Sequence, residues 1–583
     1  MYRFQIRRIA VAVLGILSHS LSVAQAPGDR ADAARANAAA QQQLLQQQEA
    51  QQRAGQLMSP SVHLGREQAR DEVVLPVEQP CFEISEFLLT VPDVLPAAAR
   101  TAGASALPQD PFAFAREWLE QYRGRCLGGN GIGILVKNLN ALILSRGYIT
   151  TRVVVADEQN LAGGRLRLTL IPGTIGAIRF EDPRESGSPR SAFPARPGDL
   201  LELAALEQGL EQMRQIPSQD VDVKVVPAPA PGQSDVVVLV ERQKPWRVTA
   251  FADNGGYRNT GKTQQALYLG VDNPLGLNDQ LNLGVSRSAA NNGGGTRGWT
   301  VTYMLPTGYW TTNVSVYANA YRQKVTGAVT TFSASGESTG GELRVSRVIS
   351  RAQNHVLGIF AKLGKRAARG FIEDTEIPSQ NRNSTYVEVG LSNRSYLGAM
   401  QVDADLAHRQ GVPWLGAKNA PPNSAQTPYY RLQQANLSLK MPFSVADYRA
   451  AYTSSAHVRY TPDQQFFVDA LAIGNRWTVR GFDGESNLRG ETGGYWRNEV
   501  ETGLPGTRHA LYAGLDYGRV GGAMASAQSG NQLAGMAVGV RGAWADGTLG
   551  ALSFNLFLGT PLYKPTGFQT SNMAGGFEFA YQY

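Results

Sequence analysis

From Trp246 to its C-terminus, the chain consists of short runs in which apolar and polar residues alternate. In residues 280–286, leucine and valine alternate with glutamine, asparagine and serine, and Gly, Asn, Pro and Asp separate successive runs. A period of two places apolar side chains on one face of a strand and polar ones on the other. A soluble β-sandwich also alternates, but does not normally continue over more than half of 583 residues. We therefore expect residues 244–583 to form a membrane β-barrel of about sixteen antiparallel strands.

Residues 1–26 have the features of a secretory signal peptide. Three arginines precede an apolar core at residues 9–17, and Ala-Gln-Ala at 24–26 is a small-x-small cleavage site. The apolar core is shorter than the roughly 20 residues that a membrane-spanning helix needs. The chain is therefore expected to be exported rather than retained in the cytosol.

Composition argues against several classes of function. Only 18% of residues are charged, 63 are glycine, and the formal charge of +7 includes three arginines of the signal peptide. The remaining positive charge is too small and too dispersed to predict a nucleic-acid partner. The six histidines show no metal-ligand spacing, and the run Gly129-Asn130-Gly131-Ile132-Gly133 fits neither phosphate-binding fingerprint. We interpret this run as a helix-start turn and expect no enzymatic activity, metal or cofactor.

Between the signal peptide and residue 79 lie two polar segments. Residues 27–55 are rich in Ala, Gln, Arg and Glu, which are good helix formers, yet they carry hardly any apolar stripe. A disordered tether and a polar helix lodged in a polar channel both suit this composition. Residues 56–78 are interpreted as a linker.

Two small α/β units follow, at residues 79–173 and 174–243. In the first, strands are predicted at 82–89, 150–156 and 165–171, with helices at 112–122 and 132–145. The second repeats the β-α-β-β pattern, with strands at 175–180, 221–226 and 234–241 and a helix at 201–215. Both cysteines of the chain, Cys81 and Cys126, fall in the first unit. In an exported protein an even count suggests a disulfide.

A long segment at residues 462–492 interrupts the alternating runs and contains Val479, Arg480, Gly481 and Phe482. A single cation between apolar neighbours usually binds a buried partner, and Asp516 is the candidate acid on a following strand. On spacing alone, a solvated loop arginine beside a glycine turn is an equal alternative.

The final strand carries Phe577, Phe579, Tyr581 and Tyr583 on alternate positions. One face of this strand would direct all four aromatic side chains toward lipid, with Glu578 and Gln582 toward the lumen. An ordinary barrel strand is the simpler interpretation of the same pattern.

Taken together, several stretches resemble the two-partner-secretion transporters, the haemolysin-secretion and haemagglutinin-exporter family of the barrel-assembly superfamily. Each stretch alone is weak, but together and in this order they are specific. They are Pro80-Cys81-Phe82-Glu83-Ile84, Cys126-Leu127-Gly128, Gly147-Tyr148-Ile149-Thr150-Thr151-Arg152-Val153, Gln159-Asn160-Leu161, Gly164-Arg165-Leu166, Ile171-Pro172-Gly173, Pro231-Gly232-Gln233-Ser234-Asp235, Asp253-Asn254-Gly255-Gly256, Thr260-Gly261, Asn273-Pro274-Leu275-Gly276-Leu277-Asn278-Asp279 and Val479-Arg480-Gly481-Phe482.

The resemblance implies a protein of the Gram-negative outer membrane with two periplasmic POTRA domains, a barrel and an N-terminal plug helix. It implies that the segment at 462–492 folds back into the lumen, where Arg480 pairs with Asp516. The aromatic C-terminal strand looks like the signal by which barrels are recognised for assembly.

The implied partners are a large secreted exoprotein (an adhesin, a haemolysin or a contact-dependent toxin), outer-membrane lipid, and, during biogenesis, the barrel-assembly machinery and periplasmic chaperones. Export without ATP is the expected function. A barrel-assembly insertase is the alternative, and a passive porin is a weaker one.

Overall fold

The computed structural model describes residues 36–37, 40–42, 73–91, 111–183, 189–289, 293–326, 330–445, 448–546 and 549–583. The expected signal peptide at 1–26 lies outside these residues, as does most of the segments expected at 27–55 and 56–78. The five described residues of the first segment are helical. No helix within the described ranges combines the length and apolarity needed to cross a membrane.

The first α/β domain contains two small sheets. Strands β2, β5 and β4 form one sheet in the order β2-β5-β4, with β2 parallel and β4 antiparallel to β5, and β1 pairs with β3 in the other. A disulfide joins Cys81 to Cys126 beside the second sheet. The elements are β1 (Phe82–Ile84), β2 (Glu86–Thr90), α1 (Ala113–Glu120), β3 (Arg125–Leu127), α2 (Gly129–Ser145), β4 (Arg152–Val155) and β5 (Arg165–Ile171).

The strand expected at 82–89 is broken at Ser85. The backbone N–H groups of Ser85 and Glu86 both donate to the Gly164 carbonyl, at 2.8 and 3.1 Å. The chain therefore leaves the β1–β3 sheet at this point and joins β5 instead.

The glycine run at 129–133, expected to be a helix-start turn, is the first turn of α2, which begins three residues earlier than predicted. The Glu78 carboxylate accepts hydrogen bonds from the N–H groups of Gly128, Asn130 and Gly131, at 2.8, 3.1 and 2.6 Å. A Cβ at Gly128 would lie 2.5 Å from Glu78 Cδ, so glycine is required for this approach. The hydrogen bonds, that of Gly131 foremost, hold the pKa of Glu78 below its usual range. An acidic side chain from the preceding segment thus caps the helix.

The second domain has the predicted order of elements, with each strand one to three residues longer and the helix three residues shorter than predicted. Its sheet order is β6-β8-β7, and α3 packs on the sheet through Leu206, Leu210 and Met213. The elements are β6 (Thr174–Phe180), α3 (Leu203–Arg214), β7 (Gln219–Pro227) and β8 (Gln233–Arg242).

The two domains are joined by backbone hydrogen bonds. Leu203 N–H donates to the Gly147 carbonyl at 2.8 Å, and Leu201 N–H donates to the Gly173 carbonyl at 2.9 Å. Tyr148 and Glu202 form an isolated β-bridge across the junction. These contacts fix the first domain on the second.

The second domain also contacts the barrel, through a polar face of α3. Gln212 donates to the Gly308 carbonyl at 2.9 Å, and Arg351 pairs with Glu211 at 2.8 Å. Gln208 and Gln212 are almost fully buried. These contacts place the turns at Gly308 and next to Arg351 at the end of the barrel that faces the two α/β domains, and we call the opposite end the outer end.

Residues from Trp246 onward form a closed antiparallel barrel of sixteen long strands, as predicted, in which β27 pairs with β9. The strands are β9 (Trp246–Asp253), β10 (Gln264–Asp272), β11 (Gln280–Ser288), β12 (Gly295–Thr307), β13 (Trp310–Thr326), β14 (Thr331–Arg351), β15 (His355–Ile372), β17 (Arg382–Leu397), β18 (Met400–Val412), β19 (Arg431–Val445), β20 (Tyr448–Tyr460), β23 (Thr492–Gly503), β24 (His509–Gly521), β25 (Gln532–Asp546), β26 (Gly550–Tyr563) and β27 (Ala574–Gln582), with β16 (Thr375–Glu376) a short addition beyond β15.

The alternation that predicted the barrel reappears as a difference in exposure. Leucines and valines such as Leu406, Leu437 and Leu558 point outward and are exposed, as lipid-facing residues of a barrel are. A short helix, α4 (Ala523–Ser526), follows β24.

Candidate functional site

The segment between β20 and β23, residues 461–491, lies inside the barrel, and we call it the inner loop. Its arms pair as a short hairpin of β21 (Leu471–Ile473) and β22 (Leu488–Gly490). Ile473, Val479 and Phe482 are buried in an apolar cluster with wall residues such as Leu533. The tip of the loop is therefore packed against the wall.

Arg480, at the tip of the inner loop, binds Asp516 of β24. Its Nε and Nη2 donate to the two carboxylate oxygens at 2.7 and 2.8 Å, and its backbone N–H donates to Oδ2 at 2.9 Å. Arg480 is 5% exposed and Asp516 3%. A buried, two-pronged guanidinium–carboxylate pair fixes both distance and orientation, which rules out the solvated arginine.

A second acid, Glu499 of β23, was not predicted from the sequence. Glu499 accepts a hydrogen bond from Arg480 Nη1 through one carboxylate oxygen and from Arg541 through the other. It is next to Asp516 because β23 and β24 pair Arg497 with Asp516. Alternation in β23 places Arg497, Glu499 and Glu501 on one face, and this was the available signal.

Glycines lie on both sides of the contact between the loop tip and the barrel wall. Gly481 has φ +97°, and a Cβ there would lie 2.4 Å from the Thr560 carbonyl oxygen. A Cβ at Gly535 would lie 1.9 Å from the Arg480 carbonyl oxygen, and one at Gly514 would lie 2.2 Å from Arg480 Nη2. The backbone of the loop thus approaches β25 and β26, and the Arg480 guanidinium approaches β24, more closely than a wall side chain at these positions would allow.

The inner loop has further polar anchors on either side of Arg480. Arg476 donates to Asp253 and Asn254 of the β9 end at 3.2 and 2.8 Å. Asp483 accepts hydrogen bonds from the backbone and hydroxyl of Ser571 at 2.9 and 2.8 Å. The loop is consequently attached to the end of β9 and to the segment between β26 and β27, as well as to β23 and β24.

The helical residues 36–37 and 40–42 contact the inner loop and the wall. Gln42 is 2% exposed; it donates to the Ala470 carbonyl at 2.6 Å and accepts from Arg489 Nε at 2.6 Å. The Asn37 carbonyl accepts from the Tyr321 hydroxyl at 3.1 Å. We call these five residues the lumen helix residues.

The wall away from the loop tip carries a ladder of paired charges around a cavity of about 510 Å³. Glu388 is paired with Lys362 at 3.1 Å and with Arg409 at 2.7 Å, and Arg394 pairs with Asp403. The lumen is therefore polar, in contrast to the apolar outer surface.

The C-terminal strand β27 closes the barrel on β9. Phe579, Tyr581 and Tyr583 are exposed on the outer surface, and Phe577 is half-buried. Tyr583 exchanges backbone hydrogen bonds with Val248, and Lys244 Nζ lies 3.9 Å from the Tyr583 ring centroid.

Residues 336–340 read Gly-Glu-Ser-Thr-Gly, a spacing also found at hydrolase nucleophiles. They lie in the middle of β14, in continuous register with β13 and β15. A nucleophile elbow requires a sharp strand-to-helix turn, so this stretch is ordinary barrel strand.

The architecture agrees with matches to known families. A model described as "Haemolysin secretion/activation protein ShlB/FhaC/HecB" matches residues 232–542. A ShlB-type POTRA model matches residues 99–173 and a second POTRA model residues 174–227. The closed barrel, the two POTRA domains and these matches define an outer-membrane transporter of two-partner secretion.

The chain belongs to the ShlB/FhaC/HecB family of haemolysin secretion/activation proteins. It is 44% identical over 579 residues to the outer membrane transporter CdiB-2 of Burkholderia pseudomallei, covering 99% of both chains. The hemolysin transporter ShlB of Serratia marcescens is 27% identical over 401 residues, which cover 68% of this chain and 71% of ShlB.

The solved structure of CdiB from Acinetobacter baumannii has a TM-score of 0.78 at 25% identity, covering 94% of this chain and 99% of CdiB. CdiB from Escherichia coli, at 23% identity, shares the fold with a TM-score of 0.79 and covers 96% of this chain and 99% of its own. The family and the fold place this protein in the outer membrane, with its N-terminal domains in the periplasm.

Proposed function

We propose that the protein carries one large partner exoprotein, of the adhesin, haemolysin or contact-dependent toxin class, from the periplasm to the cell surface. The POTRA domains bind the unfolded secretion domain of that exoprotein, and the barrel conducts it. The proposal involves no ATP and no catalytic step. Folding of the exoprotein outside the cell would give the transport its direction.

The observation that carries the proposal is the attachment of the inner loop to the wall by Arg480. A passive porin does not need a loop held by a buried two-pronged ion pair, nor periplasmic domains hydrogen-bonded to the barrel mouth. The polar cavity beside the charged wall can accommodate an extended chain, because such a chain keeps its backbone polar groups unpaired and needs polar partners.

Capture by the POTRA domains has a physical route. An extended segment can add a strand to a sheet edge and gain backbone hydrogen bonds. Two edges are already occupied: Asn140 exchanges hydrogen bonds of 2.8 Å with both backbone groups of Val153 in β4. In β7, the N–H groups of Val221 and Val223 donate to the preceding aspartates. These contacts favour the opposite edges, β2 and the part of β6 beyond Ile175, whose own backbone is already hydrogen-bonded to Asp199 and Gly198 at 2.9 and 2.8 Å.

The remaining assignments belong to the same proposal. The N-terminal helix at 27–55 acts as the plug of the barrel, and Phe577, Phe579, Tyr581 and Tyr583 form the signal recognised by the barrel-assembly machinery. Periplasmic chaperones accompany the chain before its insertion. The disulfide between Cys81 and Cys126 stabilises the first POTRA domain by about 3–4 kcal/mol, given the length of the loop it closes.

The test is surface export of the N-terminal secretion domain of a candidate exoprotein in cells carrying wild type, Arg480→Ala, or a deletion of residues 79–243. The amount of assembled barrel is measured in parallel. We expect export to fall in both variants while the Arg480→Ala barrel remains assembled. Unchanged export in both would contradict the proposal, and loss of other outer-membrane proteins instead would indicate a barrel-assembly insertase.

A further inference from the structure

The lumen helix residues are held by a donor and an acceptor at each of two positions. At the first, Gln42 receives a hydrogen bond from Arg489 Nε and gives one to the Ala470 carbonyl, both at 2.6 Å. Ala470 and Arg489 belong to the two arms of the inner loop. Arg489 pairs with Ala472 in the hairpin, and Ala470 directly precedes the first hairpin strand. Gln42 therefore bridges the base of the loop hairpin.

The second position lies on the wall near the outer end of β13. The Tyr321 hydroxyl donates to the Asn37 backbone carbonyl at 3.1 Å, and the Asn37 side-chain amide donates to Gln380 Oε1 at 3.0 Å. Asn37 and Tyr321 are 2% and 4% exposed. Both positions thus bind amide groups: the Gln42 side chain at the first, and the side-chain amide and main-chain carbonyl of Asn37 at the second.

Arg489 differs from the other arginines of the inner loop. Arg476 and Arg480 bind carboxylates, whereas no carboxylate among the described residues forms an ion pair with Arg489. Its guanidinium lies over the Phe467 ring, 4.2 Å from the centroid, and its Nε binds the Gln42 amide. A partly desolvated cation needs hydrogen-bond acceptors, and here a neutral carbonyl oxygen supplies one.

A peptide group offers the same complement as the Gln42 side chain, one carbonyl acceptor and one N–H donor. The receiving groups, Arg489 Nε and the Ala470 carbonyl, remain on the inner loop, which Arg480 anchors to the wall. When the lumen helix residues leave, these groups lose their partner and are available to another amide.

We propose that Arg489, the Ala470 carbonyl and Tyr321 form a binding site for peptide groups, occupied by the lumen helix residues at rest and by the exported chain during transport. The ligand class is the backbone of an unfolded polypeptide. This inference rests on the proposed transport function. The site recognises amides and not particular side chains. It therefore suits a moving polypeptide, because a different stretch of the exported sequence occupies the site at each moment of transport.

The test measures ion current through the full-length protein in planar bilayers, before and after addition of an uncharged glycine–serine peptide, which is a flexible coil. Gln42→Ala and Arg489→Met each remove one side of the same hydrogen bond, so both are expected to open the channel more often than wild type. The peptide should block the Gln42→Ala channel, because Arg489 is present, and block the Arg489→Met channel about tenfold less, the loss expected for one hydrogen bond to a charged donor.

Arg347→Met is the matched control, since Arg347 also lies over an aromatic ring, 5.1 Å from the Trp310 centroid, but is exposed and does not line the polar cavity. Combined with Gln42→Ala, it should leave the peptide block unchanged. Equal block of the Gln42→Ala and Arg489→Met channels would overturn the site, as would no block of either. Neither result depends on export, which is measured separately in cells, so failure of this site is distinguishable from failure of the transport function.

Discussion

The inner loop and the lumen helix residues both occupy the barrel, but different chemistry holds each of them. The loop tip is attached by a buried guanidinium with two carboxylate partners, by Arg476 at the seam, and by glycines that allow close backbone contact. Asn37 and Gln42, by contrast, make amide hydrogen bonds, and among the described residues Arg489 is their one charged partner.

This difference implies a difference in cost of removal. Separating a buried ion pair leaves uncompensated charges and costs about 3–5 kcal/mol. Breaking a neutral hydrogen bond costs about 1 kcal/mol when water can replace the partner. The loop is therefore suited to remain in place during transport, and the lumen helix residues are suited to leave.

The largest effect is expected from Arg480→Ala. It leaves Asp516 and Glu499 without their shared guanidinium, so docking of the loop should weaken by about 3–5 kcal/mol. Export should fall sharply while the amount of folded barrel is unchanged, and the loop should become sensitive to added protease. Arg480→Lys keeps the charge but loses the two-pronged geometry. Its export and its protease sensitivity should lie between those of wild type and Arg480→Ala. A protease-resistant loop in Arg480→Ala would contradict the comparison.

A substitution at Gly481 tests the close backbone contact separately from the charge. Gly481 and Gly484 both have positive φ, +97° and +81°, but only at Gly481 would a Cβ meet the wall, 2.4 Å from the Thr560 oxygen. Gly481→Ala should destabilise loop docking by about 2–4 kcal/mol, from backbone strain plus overpacking. Gly484→Ala, whose Cβ meets nothing closer than 3.7 Å, carries the strain alone and is the control. The measurement is the protease sensitivity of the loop, and equal sensitivity of the two variants would show that contact with the wall is not needed.

A smaller effect is expected from Glu499→Gln. Arg480 keeps its bonds to Asp516, and Arg541 keeps its 3.0 Å ion pair with Glu501, so the loss should be about 1–3 kcal/mol. Asp516→Asn should cost more, because it weakens three hydrogen bonds from Arg480. Export and loop protection should follow the order wild type, Glu499→Gln, Asp516→Asn. The reverse order would assign the main anchor to Glu499.

The smallest effect is expected from Asn37→Ala, which removes one neutral hydrogen bond while the Tyr321 hydroxyl still binds the main chain. A loss of about 1 kcal/mol corresponds to roughly fivefold more frequent channel opening. Gln380→Ala removes the other partner of the same bond and should match it in planar bilayers. Export should not decrease in either variant, and a decrease would mean that these residues do more than close the pore.

How far the sequence predicted this arrangement depended on the kind of contact. The alternation of leucine and valine with polar residues predicted the barrel, because burial on one face leaves a period of two. The Arg480–Asp516 pair followed from resemblance to a family motif and not from spacing, which had left a solvated arginine open. Glu499 was missed because alternation in β23 predicts only the face on which it lies, whereas its place beside Asp516 depends on the register between β23 and β24.

The lumen helix residues show more clearly what the sequence could not predict. A run of Ala and Gln fits a tether and a plug equally well, because amide side chains find partners in water as readily as in a polar lumen. The glycine run at 129–133 was correctly interpreted as a helix start, but the sequence did not show which side chain caps it. The acid that binds there, Glu78, lies some fifty residues earlier in the chain.

The most direct test of the comparison is to tether each region in turn and measure export. One cysteine pair replaces Asn37 and Gln380, which are hydrogen-bonded at 3.0 Å, and the other replaces Asp483 and Ser571, at 2.8 Å. Each pair is closed with a short thiol crosslinker, and single-cysteine variants treated alike serve as controls. We predict that the first tether stops export of the secretion domain and that the second leaves it close to wild type. Export that continues with the first pair closed, or stops with the second, would contradict a fixed loop and a departing helix.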